Sequence, residues 1–257
     1  MKKFIFILAL LFIQMNSFAQ KDSIVLQITY QANYKGDRTF EDVERLDIGE
    51  YSSRFYSLIG EHKKNRSKGI NNGPMPYKGS SSNYDVFKNI PQKGIMEYIH
   101  QPLWLTVKDS IDNLFNWKLE EGDTTVCEYP CKKASTDFRG RKWNVWYTPE
   151  LPYSDGPWKL CGLPGIILYA QDSKGEAIFN VIEIKQAKDA FITYPNERKR
   201  YVTPKRAEEL RAIEHQSGVE YFNQMMAGGI QLSKPNGNRG QMPDFSSPAL
   251  ELFKTNK

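Results

Sequence analysis

Apolar and polar residues alternate along much of this chain. Ile24, Leu26, Ile28, Tyr30 and Ala32 recur with a period of two around Gln27, Thr29 and Gln31, which predicts a strand with one face buried. Leu46 and Ile48, then Gly49-Glu50, then Arg54 to Leu58 read as a hairpin. Residues 60–83 turn polar, with Lys63, Lys64, Arg66 and Lys68 followed by Gly, Pro, Asn and Ser. That stretch is expected to be a solvated loop rather than an anion-binding surface. Short strands are expected at Tyr84–Ile90, Ile95–His100, Leu103–Val107 and Phe115–Leu119. Cys131–Phe138 and Lys142–Thr148 flank Arg139-Gly140-Arg141, so a Gly-centred turn joins them. Ile166–Ala170 and Ala177–Ile184 flank a second turn at 171–175, and the latter strand is apolar on both faces, as a central strand would be. Phe191–Tyr194 is expected to close the sheet.

One helix is predicted, near 204–226. Thr203 supplies the cap, Pro204 the first helical position, and Glu208 and Glu209 sit near the first turn. Leu210, Ile213, Tyr221, Phe222, Met225 and Met226 form its apolar stripe, interrupted at Gly218. Residues 228–247 read as an extended connection leading to the C-terminal tail. The fold class expected from these elements is mainly β with a minor α part: a curved antiparallel sheet or half-barrel covered by the C-terminal helix.

The 257 residues are 40% apolar and 25% charged, the balance of a folded chain rather than a disordered one. Lys2 and Lys3, the apolar run Phe4–Ile13 and the small residues Ser17 and Ala19 read as a signal peptide over 1–19, which leaves 20–257 as a single β-rich domain. Once Lys2 and Lys3 are removed, 33 basic residues face 30 acidic ones, a net charge of +3 that gives no argument for nucleic acid. The ten-residue run Phe4–Ile13 is too short to span a bilayer, and no apolar run beyond it approaches the length needed. His62, His100 and His215 lie far from Cys127, Cys131 and Cys161 and from one another, so neither a metal site nor a cofactor is expected. Export permits a disulfide. Cys131 with Cys161 is the favoured pair, and Cys127 with either of them stays open. Catalytic and phosphate-binding signatures are missing, among them GxSxG, HExxH and the P-loop. The expectation is a non-enzymatic protein, with a hydrolase-type enzyme of unrecognised active site as the alternative.

Residues 115–170 are the most distinctive. They carry Phe115-Asn116-Trp117-Lys118, Tyr129-Pro130-Cys131-Lys132-Lys133-Ala134, Phe138-Arg139-Gly140-Arg141-Lys142-Trp143, Trp146-Tyr147-Thr148-Pro149-Glu150-Leu151-Pro152 and Gly156-Pro157-Trp158-Lys159-Leu160-Cys161. Gly162-Leu163-Pro164-Gly165-Ile166-Ile167 completes the run. This series resembles the GLPGLI family of exported bacterial proteins, with Ile166 where the family's name has Leu. The resemblance implies a periplasmic or outer-membrane-associated protein of a Gram-negative bacterium with no established reaction. It also implies a sheet similar to the half-barrel of periplasmic lipoprotein carriers. The partners it suggests are an apolar small molecule or peptide, or an outer-membrane receptor or other envelope protein. Within the motif, Pro164 and Gly165 suit the two central positions of a type II turn. Trp143, Trp146, Tyr147 and Trp158 are the candidate ligand-binding residues, against the default that they fill the core. Arg139, Arg141, Asp137, Glu150 and Asp155 are expected to form solvated ion pairs.

Overall fold

The structure is a computed structural model that describes residues 21–35, 39–70, 73–79, 81–82, 84–100, 105–207 and 209–210. The segment 1–19 expected to be a signal peptide, most of the helix expected at 204–226, the expected connection at 228–247 and the tail lie outside the described residues. Of that helix, residues 204–207 and 209–210 are described and helical, with Thr203 Oγ1 accepting from the Arg206 N–H at 3.2 Å. None of the described helices is long and apolar enough to cross a membrane.

Ahead of it, thirteen strands and one short helix follow in chain order among the described residues. They are β1 (Lys21–Lys35), β2 (Thr39–Gly49), β3 (Ser53–Ser57), α1 (Leu58–Ser67), β4 (Tyr84–Lys88), β5 (Ile95–His100) and β6 (Leu105–Ser110), then β7 (Lys118–Val126), β8 (Tyr129–Phe138), β9 (Arg141–Thr148), β10 (Ile166–Asp172), β11 (Ala177–Gln186), β12 (Phe191–Thr193) and β13 (Arg200–Tyr201). The fold is mainly β, a curved open sheet in the order β13-β6-β5-β4-β3-β2-β1-β11-β10-β9-β8-β7, with β12 added to the start of β1. Every described pairing is antiparallel except β13 with β6.

The period of two in β1 sets the inner face. Leu26, Ile28, Tyr30, Ala32 and Tyr34 are buried, and the β2 register places Ile48, Leu46, Glu44, Asp42 and Phe40 opposite them. Curvature then brings distant strands together across that face. Phe55 of β3 meets Phe179 of β11 edge to face at 6.1 Å, and Tyr30 donates its hydroxyl to the Ile167 carbonyl of β10 at 2.7 Å. Asp109 of β6 pairs with Arg139 of the β8–β9 turn, so the two flanks of the sheet are drawn towards each other.

The polar stretch expected to be a loop holds α1. Ser57 caps it, its Oγ accepting from Gly60 N–H at 2.9 Å, and Lys64 and Arg66 occupy the last turn, where cations suit the helix dipole. Only Ile59 and His62 of this helix are buried, so it has no apolar stripe for a periodicity reading to find. The β8–β9 turn matches its expectation: Arg139 (φ 44) and Gly140 (φ 82) are the two left-handed residues of a two-residue hairpin loop.

The Pro164-Gly165 corner differs in type from the expected turn. A type II turn has Leu163 O accepting from Ile166, but here Ile166 N–H donates to Leu151 O at 3.1 Å and Leu163 O accepts from Gly165 N–H at 2.8 Å. The bond spans two residues and centres a γ-type turn on Pro164. Gly165 still needs its left-handed freedom (φ 152), because a Cβ there would stand 2.0 Å from the Thr148 carbonyl oxygen. β10 begins directly after this corner, at Ile166.

Candidate functional site

The interior of the curved sheet is filled by the segment between β9 and β10. Trp158, Lys159, Leu160, Cys161 and Leu163 are all buried in it. Trp158 packs on Trp143 at 5.6 Å and against Phe138 at 5.9 Å, and Trp143 continues the stack onto Phe179 at 6.1 Å. Two buried lysines pin the segment. Lys88 of β4 pairs with Asp155 and donates to the carbonyls of Gly156 (3.1 Å) and Leu160 (3.3 Å). Lys159 pairs with Asp109 at 3.1 Å and lies over the Tyr98 ring. The surface ion pairs expected around Arg139, Arg141 and Asp155 are thus largely interior: Arg141 meets Asp172 at 2.5 Å with both side chains almost fully buried. Asp137 and Glu150 stay exposed.

The four candidate aromatics separate by strand parity. Trp143, Val145 and Tyr147 are in step on β9 and face the interior, where all three are buried. Trp158 joins them from the covering segment. Trp146 is out of step by one residue, half-buried, and faces outward.

There Trp146 forms the floor of an open groove of about 420 Å³. Its cross-strand neighbours are Tyr169 on β10 and Lys133 on β8, and one step along the strands lie Asn144 and Gln171, also paired. The edge hairpin supplies a wall. Backbone of β7 passes beside the outer end of the indole, where a Cβ at Gly122 (φ 132) would be 3.4 Å from Trp146 Cη2, and Thr124 and Val126 line the groove beyond it. The hairpin tip has two left-handed residues, Cys127 (φ 46) and Glu128 (φ 70), and is fastened by Cys127 Sγ donating to Val181 O of β11 at 3.3 Å. Tyr169 donates its hydroxyl to Gln171 Oε1 at 2.5 Å. Lys133 is paired with Glu120 at 3.0 Å, and Glu120 also accepts from Ser135 Oγ. Tyr169, Gln171, Asn144, Lys133 and Thr124 escaped the sequence reading. The alternation of Asn144 and Trp146 with Trp143 and Val145 was the signal for Asn144.

The favoured disulfide does not form. All three cysteines are free: Cys131 sits on β8 with its thiol directed at the Tyr129 carbonyl (3.4 Å), whereas Cys161 is in the covering segment, its carbonyl accepting from Trp117 Nε1 at 2.8 Å. Burial pushes the Cys161 thiol up to about 12.

A second polar cluster lies on the inner face beside α1. Asp42 accepts from Val43 N–H, Ser57 Oγ and Ser82 N–H, each at 2.8 Å, while Glu44 accepts from Tyr34, whose hydroxyl also meets that of Tyr84 at 2.9 Å. Burial, reinforced by the charge of Asp42, raises Glu44 to about 8, and burial also raises Asp42. These bonds tie β2, β3 and β4 together, a structural use of both acids. The folded state therefore holds a proton on Glu44 between the ordinary carboxylate range near 4.5 and about 8, where the unfolded chain has released it. Stability should fall as pH rises through that window, by at most about 5 kcal/mol. Melting curves at pH 5 and 8.5 check this. Glu44→Gln is expected to flatten the dependence by raising the melting temperature at pH 8.5, and an unchanged slope would exclude Glu44 as its source. Among the described residues no three His, Cys, Asp or Glu side chains gather in a way that holds a metal ion.

A family model described as a protein of unknown function, Porph_ging, matches residues 139–169. That stretch runs from the β8–β9 turn through Trp146 and the whole Gly162–Ile167 motif to Tyr169. No curated protein matches the chain. Two crystal forms of PNGF-II superpose with TM-score 0.49 at 13% and 14% identity, over 73% of this chain and 33% and 32% of theirs. The chain thus spans about a third of their length. An uncharacterized conserved protein from Thermus thermophilus superposes with TM-score 0.35 at 15% identity, over 70% of this chain and 91% of its own. For a LolA superfamily protein from Nitrosomonas europaea the values are 0.26 and 9%, over 64% of this chain and 87% of that one.

Proposed function

We propose that this chain is an exported, non-enzymatic binding or accessory protein of a Gram-negative envelope, and that it engages its partner through the outer groove over β8–β10. The N-terminal pattern supports export, and the short match to a family of unknown function is compatible with such a role. A lipid held in the sheet's interior, as the resemblance to lipoprotein carriers suggested, is disfavoured by the packing of Trp143, Phe138 and Phe179 against Trp158. The observation that carries the proposal is the half-buried Trp146–Tyr169 pair beside the carboxamides of Asn144 and Gln171 in one groove. Aromatic faces and convergent polar groups in a concavity of this size are the ordinary composition of a binding site.

The test passes the water-soluble fraction of a Gram-negative envelope over immobilised protein, either wild type or Trp146→Ala/Tyr169→Ala. Wild type is expected to retain material that the variant retains at least tenfold less, while the melting temperature shifts by only a few degrees. Equal retention by the two proteins would remove the groove from the proposal.

A further inference from the structure

The composition of the groove narrows what it holds. We infer that the groove beneath the β7–β8 hairpin binds a neutral, polyhydroxylated chain, that is, an uncharged oligosaccharide, with one sugar ring stacked on Trp146 and the next on Tyr169. This rests on the groove being the binding site and adds the chemical class of its ligand.

Three observations carry it. The first is charge. Lys133 is compensated by Glu120 at 3.0 Å. Asp172, at the groove's end, is compensated by Arg141 at 2.5 Å and by the N–H groups of Glu176 (2.7 Å) and Ala177 (3.0 Å). An anionic ligand meets no uncommitted cation there, and a cationic one no uncommitted carboxylate.

The second is the polar inventory. Tyr169 satisfies Gln171 Oε1 and so turns the Gln171 amide donors towards other acceptors. The Asn144 carboxamide and the Thr124 hydroxyl make no hydrogen bond to the described residues. Carboxamides and hydroxyls both donate and accept, as each sugar hydroxyl also does, so one small cluster satisfies several hydroxyls at once. A purely apolar ligand would cover these groups and leave them unpaired, at a cost.

The third is shape. The C–H face of a pyranose ring is apolar and flat, the complement of an indole or phenol face. Trp146 and Tyr169 are cross-strand partners. Neighbouring strands stand about 4.8 Å apart, close to the advance of one ring along a linear glycan, and Lys133 to Tyr169 spans about 10 Å, room for two rings. A peptide is less well served. It would add to an edge strand, and the edge here, β7, is bulged between Glu120 and Asp123 and carries Lys118, Glu120, Glu121 and Asp123.

The test titrates the protein with maltohexaose, cellohexaose, xylohexaose, mannohexaose and chitohexaose as neutral probes. Hyaluronan and heparin fragments serve as anionic probes, and an Ala-Ser-Gly hexapeptide as the peptide probe. Tryptophan fluorescence and calorimetry report binding. At least one neutral hexasaccharide is expected to bind with a Kd on the order of 0.1 mM, as suits a shallow site covering one face of its ligand. That Kd should change less than twofold between low and high salt, since no net charge is engaged. Trp146→Ala and Gln171→Leu should each weaken binding at least tenfold, with the melting temperature preserved. Binding of no neutral probe, salt-sensitive binding of an anionic probe alone, peptide binding alone, or binding indifferent to Trp146→Ala would overturn the inference. If envelope material is still lost by the Trp146→Ala/Tyr169→Ala variant while no neutral probe binds wild type, the ligand class falls and the groove stands. If that variant retains everything, both fall.

Discussion

Gly165→Ala is expected to lower the melting temperature by about 8 to 16 °C, equivalent to about 4 kcal/mol for a chain of this size. Two separate costs add at this position. The backbone φ of 152° lies in the region that L side chains rarely adopt. The added Cβ would also stand 2.0 Å from the Thr148 oxygen and 2.7 Å from its carbonyl carbon, atoms of β9 that cannot rotate aside. Gly69→Ala serves as a clash-free reference, because its φ of 72° is in the left-handed region and no atom lies within 4 Å of the new Cβ. That substitution should cost about 1 kcal/mol. Differential scanning calorimetry of the two variants checks the pair. If Gly165→Ala melts like wild type, the close crossing of β9 and the motif corner is wrong. The glycine is required because main chain passes main chain there, and the family-like motif at this point is a packing device.

Asp109→Asn is expected to cost about 3 to 5 kcal/mol, the usual penalty for leaving a buried charge without its partner. The group that loses its carboxylate is Lys159, whose side chain is only 2% exposed and whose ammonium meets Asp109 at 3.1 Å. Burial pushes the Asp109 carboxyl up, yet Lys159 and Arg139 more than offset it and hold the acid below the ordinary carboxylate range. One carboxylate thus joins β6 to the β8–β9 turn and to the segment that fills the interior. The double variant Asp109→Leu/Lys159→Met removes both charges and should recover at least half of the loss, since matched apolar replacements of buried pairs are tolerated. Urea unfolding of wild type, the single variant and the double variant checks both figures. A single variant within about 1 kcal/mol of wild type would mean that the flanks are not held together here.

The sequence was legible wherever alternation was regular and one face was buried. β1 and β11 fall where their alternation placed them, β5, β8 and β9 where short strands between turn residues were expected, and the turn at Arg139-Gly140 is of the expected kind. α1 was missed because a helix lying on a sheet flank through Ile59 and His62 alone has no stripe to read. β7 runs to Val126, well past Leu119, because an edge strand held mainly by main-chain bonds tolerates the run Glu120-Glu121-Gly122-Asp123 that reads as a loop. The ion pairs were misjudged for a related reason: Arg141 and Asp172 are polar in composition but face inward on adjacent strands, which only the register discloses. Among the candidate aromatics, parity alone separated Trp146 from Trp143 and Tyr147. The wall beside Trp146 depends on how far an edge hairpin curls, and local sequence does not encode that.

β1 is the strand on which the two halves of the sheet meet. On one side it pairs with β2, its immediate successor, while on the other its Leu26 lies against Gln186 of β11. Synthesis runs from the N-terminus, so an apolar strand stands with one side open until nearly all of the remaining sheet has been made. Such an unpaired edge invites association with other chains, and its long-range closure is intrinsically slow. Closing the sheet therefore waits on a contact between segments 160 residues apart in sequence, Leu26 with Gln186, and β1 keeps one edge bare until then.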